Sequence, residues 1–171
     1  MALPASSLHP AALPPDELLA QCEIRFLRRS GPGGQHRNKV STAVVLAHRP
    51  TGVKAEANER RSQAENRTVA LHRLRVQLAL EVRHQPAAPP GPLWQSRLHG
   101  GRIEVSLAHR DFPALLAEAL DVLAESRFDP KPAAARLRCS ASQLIKFLKT
   151  EPRALTQVNE ARRLQDLHAL Q

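Results

Sequence analysis

Four prolines crowd residues 84–92 (HQPAAPPGP), and no other feature limits the fold of this chain so sharply. Proline locks φ, lacks an N–H and pushes the residue before it out of helical conformation, so no helix can run through the stretch. The chain therefore divides into a first half, residues 15–85, and a helical module, residues 101–171, joined by a stiff Pro-rich linker over residues 86–100. With 171 residues in all, each half has room for only a small core of its own. Residues 1–14, rich in Pro and Ala without periodicity, read as a flexible N-terminus.

In the first half, Pro15 followed by Asp16 and Glu17 opens a short helix. Ile24 and Phe26 then alternate with Glu23 and Arg25, as in a half-buried strand. Residues 43–48 and 53–57 flank Pro50-Thr51-Gly52, the pattern of a β-hairpin. Ser62 and Glu65 form a capping box, and Leu71, Leu74, Leu78 and Val82 recur at helical spacing over residues 62–83. A strand, a Gly-rich loop, a hairpin and one long covering helix make a small α+β layer. The cations Arg67, Arg73, Arg75 and Arg83 of that helix read as a solvated face.

The second half reads as all-helical. Residues 94–106 carry no clear pattern, with 102–106 extended, whereas Leu115, Leu116, Ala119, Leu120 and Leu123 share one face of an amphipathic helix over residues 112–126. Asp129-Pro130 starts a short helix to about Leu137, Ser140 with Gln143 caps another, and Thr150-Glu151-Pro152 opens a last one. The two helices around Arg138-Cys139-Ser140 have helix-turn-helix spacing, which any small helical bundle also produces.

A formal net charge of +9 favours a polyanionic partner, nucleic acid first. Residues 1–85 hold 13 Lys and Arg against 7 acids, and residues 86–171 hold 12 against 9. Two cysteines, Cys22 and Cys139, stand far apart with no zinc-ligand spacing, so neither a disulfide framework, a metal site nor a cofactor is expected. Without a signal peptide or a long apolar run, the expectation is a soluble, cytoplasmic protein that does not meet a membrane.

Three of the seven glycines lie in residues 31–34, within the run Ser30-Gly31-Pro32-Gly33-Gly34-Gln35-His36-Arg37-Asn38-Lys39. Glycine permits close approach of a ligand to the backbone, and Arg28, Arg29, Arg37 and Lys39 surround the tip with positive charge. No apolar residue ties the tip to its own domain, so the loop looks built to enter a phosphate-rich cavity. It is neither a P-loop nor a dinucleotide fingerprint.

This run, followed by a hairpin and by Glu59-Arg60-Arg61-Ser62-Gln63 with Asn66 at the helix start, resembles the GGQ catalytic domain of class I peptide-chain release factors and of the relatives that rescue stalled ribosomes. The likeness covers about residues 22–82. It implies ribosome-dependent hydrolysis of the peptidyl-tRNA ester at the peptidyl-transferase centre, with Gly33, Gly34 and Gln35 as the catalytic residues. It also implies that Arg28, Arg29, Ser30, His36, Arg37, Asn38, Lys39, Arg60, Arg61 and Gln63 contact RNA. A glutamine amide does not ionise, so Gln35 would act through its backbone N–H on the developing oxyanion and through its side chain on the attacking water. His36 reads as a hydrogen-bonding group, because no acid in the loop orients it as a base. Methylation of Gln35 by a dedicated enzyme is a further implication.

The likeness stops short of codon-reading domains: only about 20 residues precede the module. Codon-independent rescue is therefore the expected role, by a protein monomeric off the ribosome. Termination with a partner and a non-catalytic ribosome-binding role are the alternatives. The single-domain rescue factors end in a Lys/Arg-rich tail, whereas residues 159–168 here read as a mixed-charge helix.

Overall fold

The computed structural model describes residues 8–28, 42–85 and 88–171, and shows a mixed α+β protein. Strands β1 (Cys22–Leu27), β2 (Ala43–His48) and β3 (Lys54–Ala57) form an antiparallel sheet in the order β1-β2-β3. The β2–β3 turn closes because Gly52 adopts φ +75°, which a Cβ disfavours. His48 braces the same turn: its ring bonds the Thr51 hydroxyl at 2.7 Å and the Gln21 carboxamide oxygen at 3.0 Å. Helix α1 (Pro15–Ala20) buries Leu18 beside β1.

Helix α2 (Gln63–Glu81) starts where Ser62 Oγ accepts the Glu65 N–H at 3.4 Å. Its buried residues spread round the helix: Ala70, Leu74 and Leu78 on one line, Val76 and Leu80 on another. The breadth has a cause, since α2 covers β2 and β3 on one side and meets the second half of the chain on the other. Strand β1 lies at the edge of that cover: of the two residues expected on its inner face, Ile24 packs against the core and Phe26 is 48% exposed.

The chain beyond the prolines builds α3 (Pro92–Arg97), the short pair β4 (Leu98–His99) and β5 (Arg102–Ile103), then α4 (Phe112–Glu125), α5 (Pro130–Arg136), α6 (Ala141–Lys149) and α7 (Pro152–Arg163). Part of the expected linker is thus ordered: α3 places Trp94, fully buried, edge-on to Phe147, with its indole N–H donating to the Leu137 carbonyl at 2.9 Å. Glu118 holds the Gly91 amide at the entrance to α3. The mixed-charge helix ends at Arg163, and the chain turns through Asp166 at φ +57°.

One buried cluster runs through both halves. Helix α2 packs on α4 and on a 3₁₀ turn (Pro10–Ala12), whose Ala11 is fully buried. The described part of the N-terminal segment is therefore packed where composition predicted flexibility, because His9 fastens it: Nδ1 accepts from Ala11 N–H and Nε2 donates to the Val82 carbonyl. The solvated face expected on α2 is corrected in the same way. Arg75 donates to the Ala11 and Arg110 carbonyls, Arg83 bonds Asp121 at 3.2 Å, and Arg73 bridges Glu59. Only Arg67 of the four stands exposed without an ion-pair partner among the described residues.

Candidate functional site

Residues 28–42 connect β1 to β2, and the chain leaves the sheet at Leu27 directly opposite Ala43, where it re-enters. The expected catalytic residues Gly33, Gly34 and Gln35, and the expected RNA contacts Arg29, Ser30, His36, Arg37, Asn38 and Lys39, lie outside the described residues. What the structure defines is the base from which this segment springs.

Asn66 organises that base. Although it sits in the first turns of α2, its side chain is fully buried. Nδ2 donates to the Thr42 carbonyl at 2.7 Å and to the Arg60 carbonyl at 2.9 Å, while Oδ1 accepts the Arg60 N–H at 2.9 Å. One amide thereby ties the returning end of the loop, the β3–α2 connection and the helix together. Thr42 and Arg60 are main-chain partners, so their residue types carry no trace of the arrangement. The legible sign was Asn66 itself, a polar residue one helical turn before the buried line of Ala70, Leu74 and Leu78.

Around this base stand Arg28, Arg60, Arg61, Gln63 and Arg67, all exposed. The three strand ends, Leu27, Ala43 and Ala57, fall at the same end of the sheet, and so does the N-terminus of α2. Helix amides and guanidinium groups together give this end a positive field suited to phosphate oxygens. Two acids stand among these cations: Glu65, exposed in the first turn of α2, and Glu59, which against the effect of its burial is held below the usual carboxylate range by its own and the Asn58 amides and by Arg73.

The helical half joins α2 further along. His72 bonds the Leu107 carbonyl, Gln77 accepts from Arg153, and the Arg83–His84 corner holds Asp121. A groove of about 570 Å³ opens at this junction, lined by Lys54, His72, Arg73, Gln77, Leu107 and Arg153 among others. Its guanidinium groups are already engaged, Arg73 with Glu59 and Arg153 with Glu151, so it offers few free groups to a ligand. Among the described residues, no cluster of His, Cys, Asp and Glu has the makings of a metal site, and no helix is long and apolar enough to cross a membrane.

Comparison with known proteins adds to this geometry. Residues 17–95 match the family model of the RF-1 domain. Among curated proteins, the chain is similar to the peptide chain release factor PrfB1, chloroplastic, of Arabidopsis thaliana, 48% identical over 65 residues, which is 38% of this chain and 14% of that protein. It is also similar to peptide chain release factor 1 of Xylella fastidiosa, 46% identical over 68 residues, or 40% and 19% of the two chains. With peptide chain release factor 1 of Verminephrobacter eiseniae it shares 37% identity over 94 residues, or 55% and 26%. The matched segments thus span between 14% and 26% of these relatives.

Proposed function

Through residues 17–95 the chain belongs to the RF-1 domain family of class I peptide-chain release factors, and we propose on that ground that it hydrolyses the peptidyl-tRNA ester on the ribosome. A water molecule adds to the ester carbonyl, the bond to the ribose oxygen breaks, and the proton lost by water ends on that oxygen, leaving a peptide acid and a free tRNA 3′ end. The backbone N–H of Gln35 donates to the oxyanion, its side chain positions the water, and Gly33 and Gly34 give the loop the required conformation. Arg28, Arg60, Arg61 and Gln63, with the cations of the loop, hold RNA. Modification of Gln35 by a methyltransferase belongs to the same reading.

The observation that carries it is the family match, which spans the loop and the second basic run in one stretch. The base described above supports it, since an arm entering an RNA cavity needs both ends held. The finer proposal is codon-independent rescue of stalled ribosomes by a protein that is monomeric when free. A second reading, termination at a stop codon with a partner, draws on the relatives, which are named peptide chain release factors.

Peptide release from purified stalled ribosomes, with and without a stop codon, tests both. Gly33→Ala or Gly34→Ala, which disturb the backbone donor itself, should lower the rate by on the order of 100-fold, and Gln35→Ala, which keeps that N–H, by no more than this. Near-normal release by both glycine variants would overturn the backbone-amide role. Release confined to stop codons removes rescue, and no release in any format leaves a binding protein.

A further inference from the structure

The positive charge of the helical half is concentrated in one segment. Residues 127–149 contain six cations and one acid, whereas the remainder of residues 86–171 has two more acids than cations. The one acid, Asp129, caps α5 by accepting the Lys131 N–H at 3.0 Å, and Glu125 of α4 takes up Arg136. Arg127, Lys131, Arg138, Lys146 and Lys149 remain, all exposed and without an ion-pair partner among the described residues. Elsewhere in this half Arg97 and Arg110 pair with Asp111, Arg153 with Glu151 and Arg163 with Glu160, Arg162 donates to the Phe128 and His168 carbonyls, and Arg102 has no ion-pair partner among the described residues.

The arrangement is ordered by helix geometry. Helix α6 turns Leu144, Phe147 and Leu148 inward, which leaves Ser142, Lys146 and Lys149 as one stripe on its outer face. Arg138 lies in the turn between α5 and α6, outside the helix whose periodicity makes the stripe. Its backbone is unusual: the Arg138 and Cys139 amides bond back to Ala135 and Ala134, the helix-ending motif whose left-handed position glycine normally occupies. Here Arg138 stands at φ +56°. A guanidinium kept where glycine would be less strained points to use of the side chain.

We propose that the α5–turn–α6 face is a second RNA-docking surface, gripping the phosphate backbone of ribosomal RNA through Arg138, Lys146 and Lys149. Charge complementarity selects the partner. A protein interface needs apolar or aromatic anchors, and residues 127–149 expose no large hydrophobic side chain. Lys146 and Lys149, about one helical turn apart, suit neighbouring phosphates, and Arg138 adds a cation from the turn that precedes the helix. The choice of ribosomal RNA as the phosphate source rests on the proposed ribosomal role; the cation stripe does not.

Filter binding of the full chain to isolated large ribosomal subunits and to protein-free ribosomal RNA, over a range of salt, tests the surface. The Lys146→Glu/Lys149→Glu variant should bind both at least tenfold more weakly. Its slope of log affinity against log salt should flatten by about two. Arg138→Gly should weaken binding about threefold while its urea midpoint stays level or rises, which separates a lost contact from a lost fold. Unchanged affinity and slope in the double variant overturn the proposal. So does a loss on intact subunits without a loss on naked RNA, which would assign the face to a ribosomal protein. Peptide release by the unmodified chain is scored separately, so failure of the hydrolase reading does not decide the docking comparison.

Discussion

A single carboxamide holds the base of the loop. Asn66 makes three hydrogen bonds from a fully buried position. Replacing it with alanine strands the Thr42 carbonyl and both main-chain groups of Arg60; a fully buried orphan costs about 1–3 kcal/mol, and these part-buried ones fall at the low end of that range. Asn66→Ala should therefore lower the unfolding free energy by about 3 kcal/mol in urea titration. The proposed peptide release should also drop in conditions where the variant is still folded; full-rate release there would show that the loop needs no such tether. The importance of Asn66 was only half legible in the sequence. Its place beside a basic run drew notice, but the partners are carbonyls and an amide, which every residue type supplies.

At the scale of elements, caps and periodicity were readable because they are local. Ser62 accepts from Glu65 and Ser140 from Gln143 as their spacing foretold, and Ala43–His48 forms a strand with the expected limits. The junction of α2, α4 and the N-terminal turn was not readable, since Asp121 and the Arg83–His84 corner lie 37–38 positions apart. That junction buries two titrating groups of opposite tendency. Burial raises Asp121 to about 7, against the pull of the His84 amide and Arg83. Burial lowers His9 to about 4, against its bond to Val82.

The two groups drive stability in opposite directions with pH. Folding strengthens proton binding at Asp121, so its contribution is full below about 3.8 and is lost as pH rises through about 7. Folding weakens proton binding at His9, so its contribution is present above about 6.5 and is lost as pH falls through about 4. Across pH 4 to 6.5 the slopes oppose one another. Asp121→Asn should leave stability rising with pH, by at most about 1.4 kcal/mol per pH unit, and His9→Gln should leave it falling. Urea midpoints at several pH values between 4 and 7.5 check this, and identical profiles in all three proteins would show that neither group titrates in the junction.

For the molecule as a whole, the proline-rich stretch shows where helices stop but not what they pack against. Because α2 has the sheet on one flank and α4 on the other, residues 1–85 alone would expose a flank that is buried in the full chain. Re-exposing a buried leucine costs about 2 kcal/mol, and two or three of them consume most of a small domain's stability. We expect residues 1–85 to melt at least 15 °C below the full chain or to aggregate. In the full chain, fluorescence of Trp94, the only tryptophan, should report the same urea midpoint as the far-ultraviolet signal. A stable, monomeric 1–85 fragment would contradict this shared core.

Helix α2 also sets a length. Its 19 residues make a rod of about 28 Å, with the loop base at one end and the Asp121 junction just past the other. Two modules on a slack tether search for their sites independently, each over a range of separations. The loop base and the Asp121 junction, at the two ends of one rod, keep a set spacing like the jaws of a locked calliper. The loop base and the helical half are thereby fixed to one helix, and their separation cannot change without breaking it.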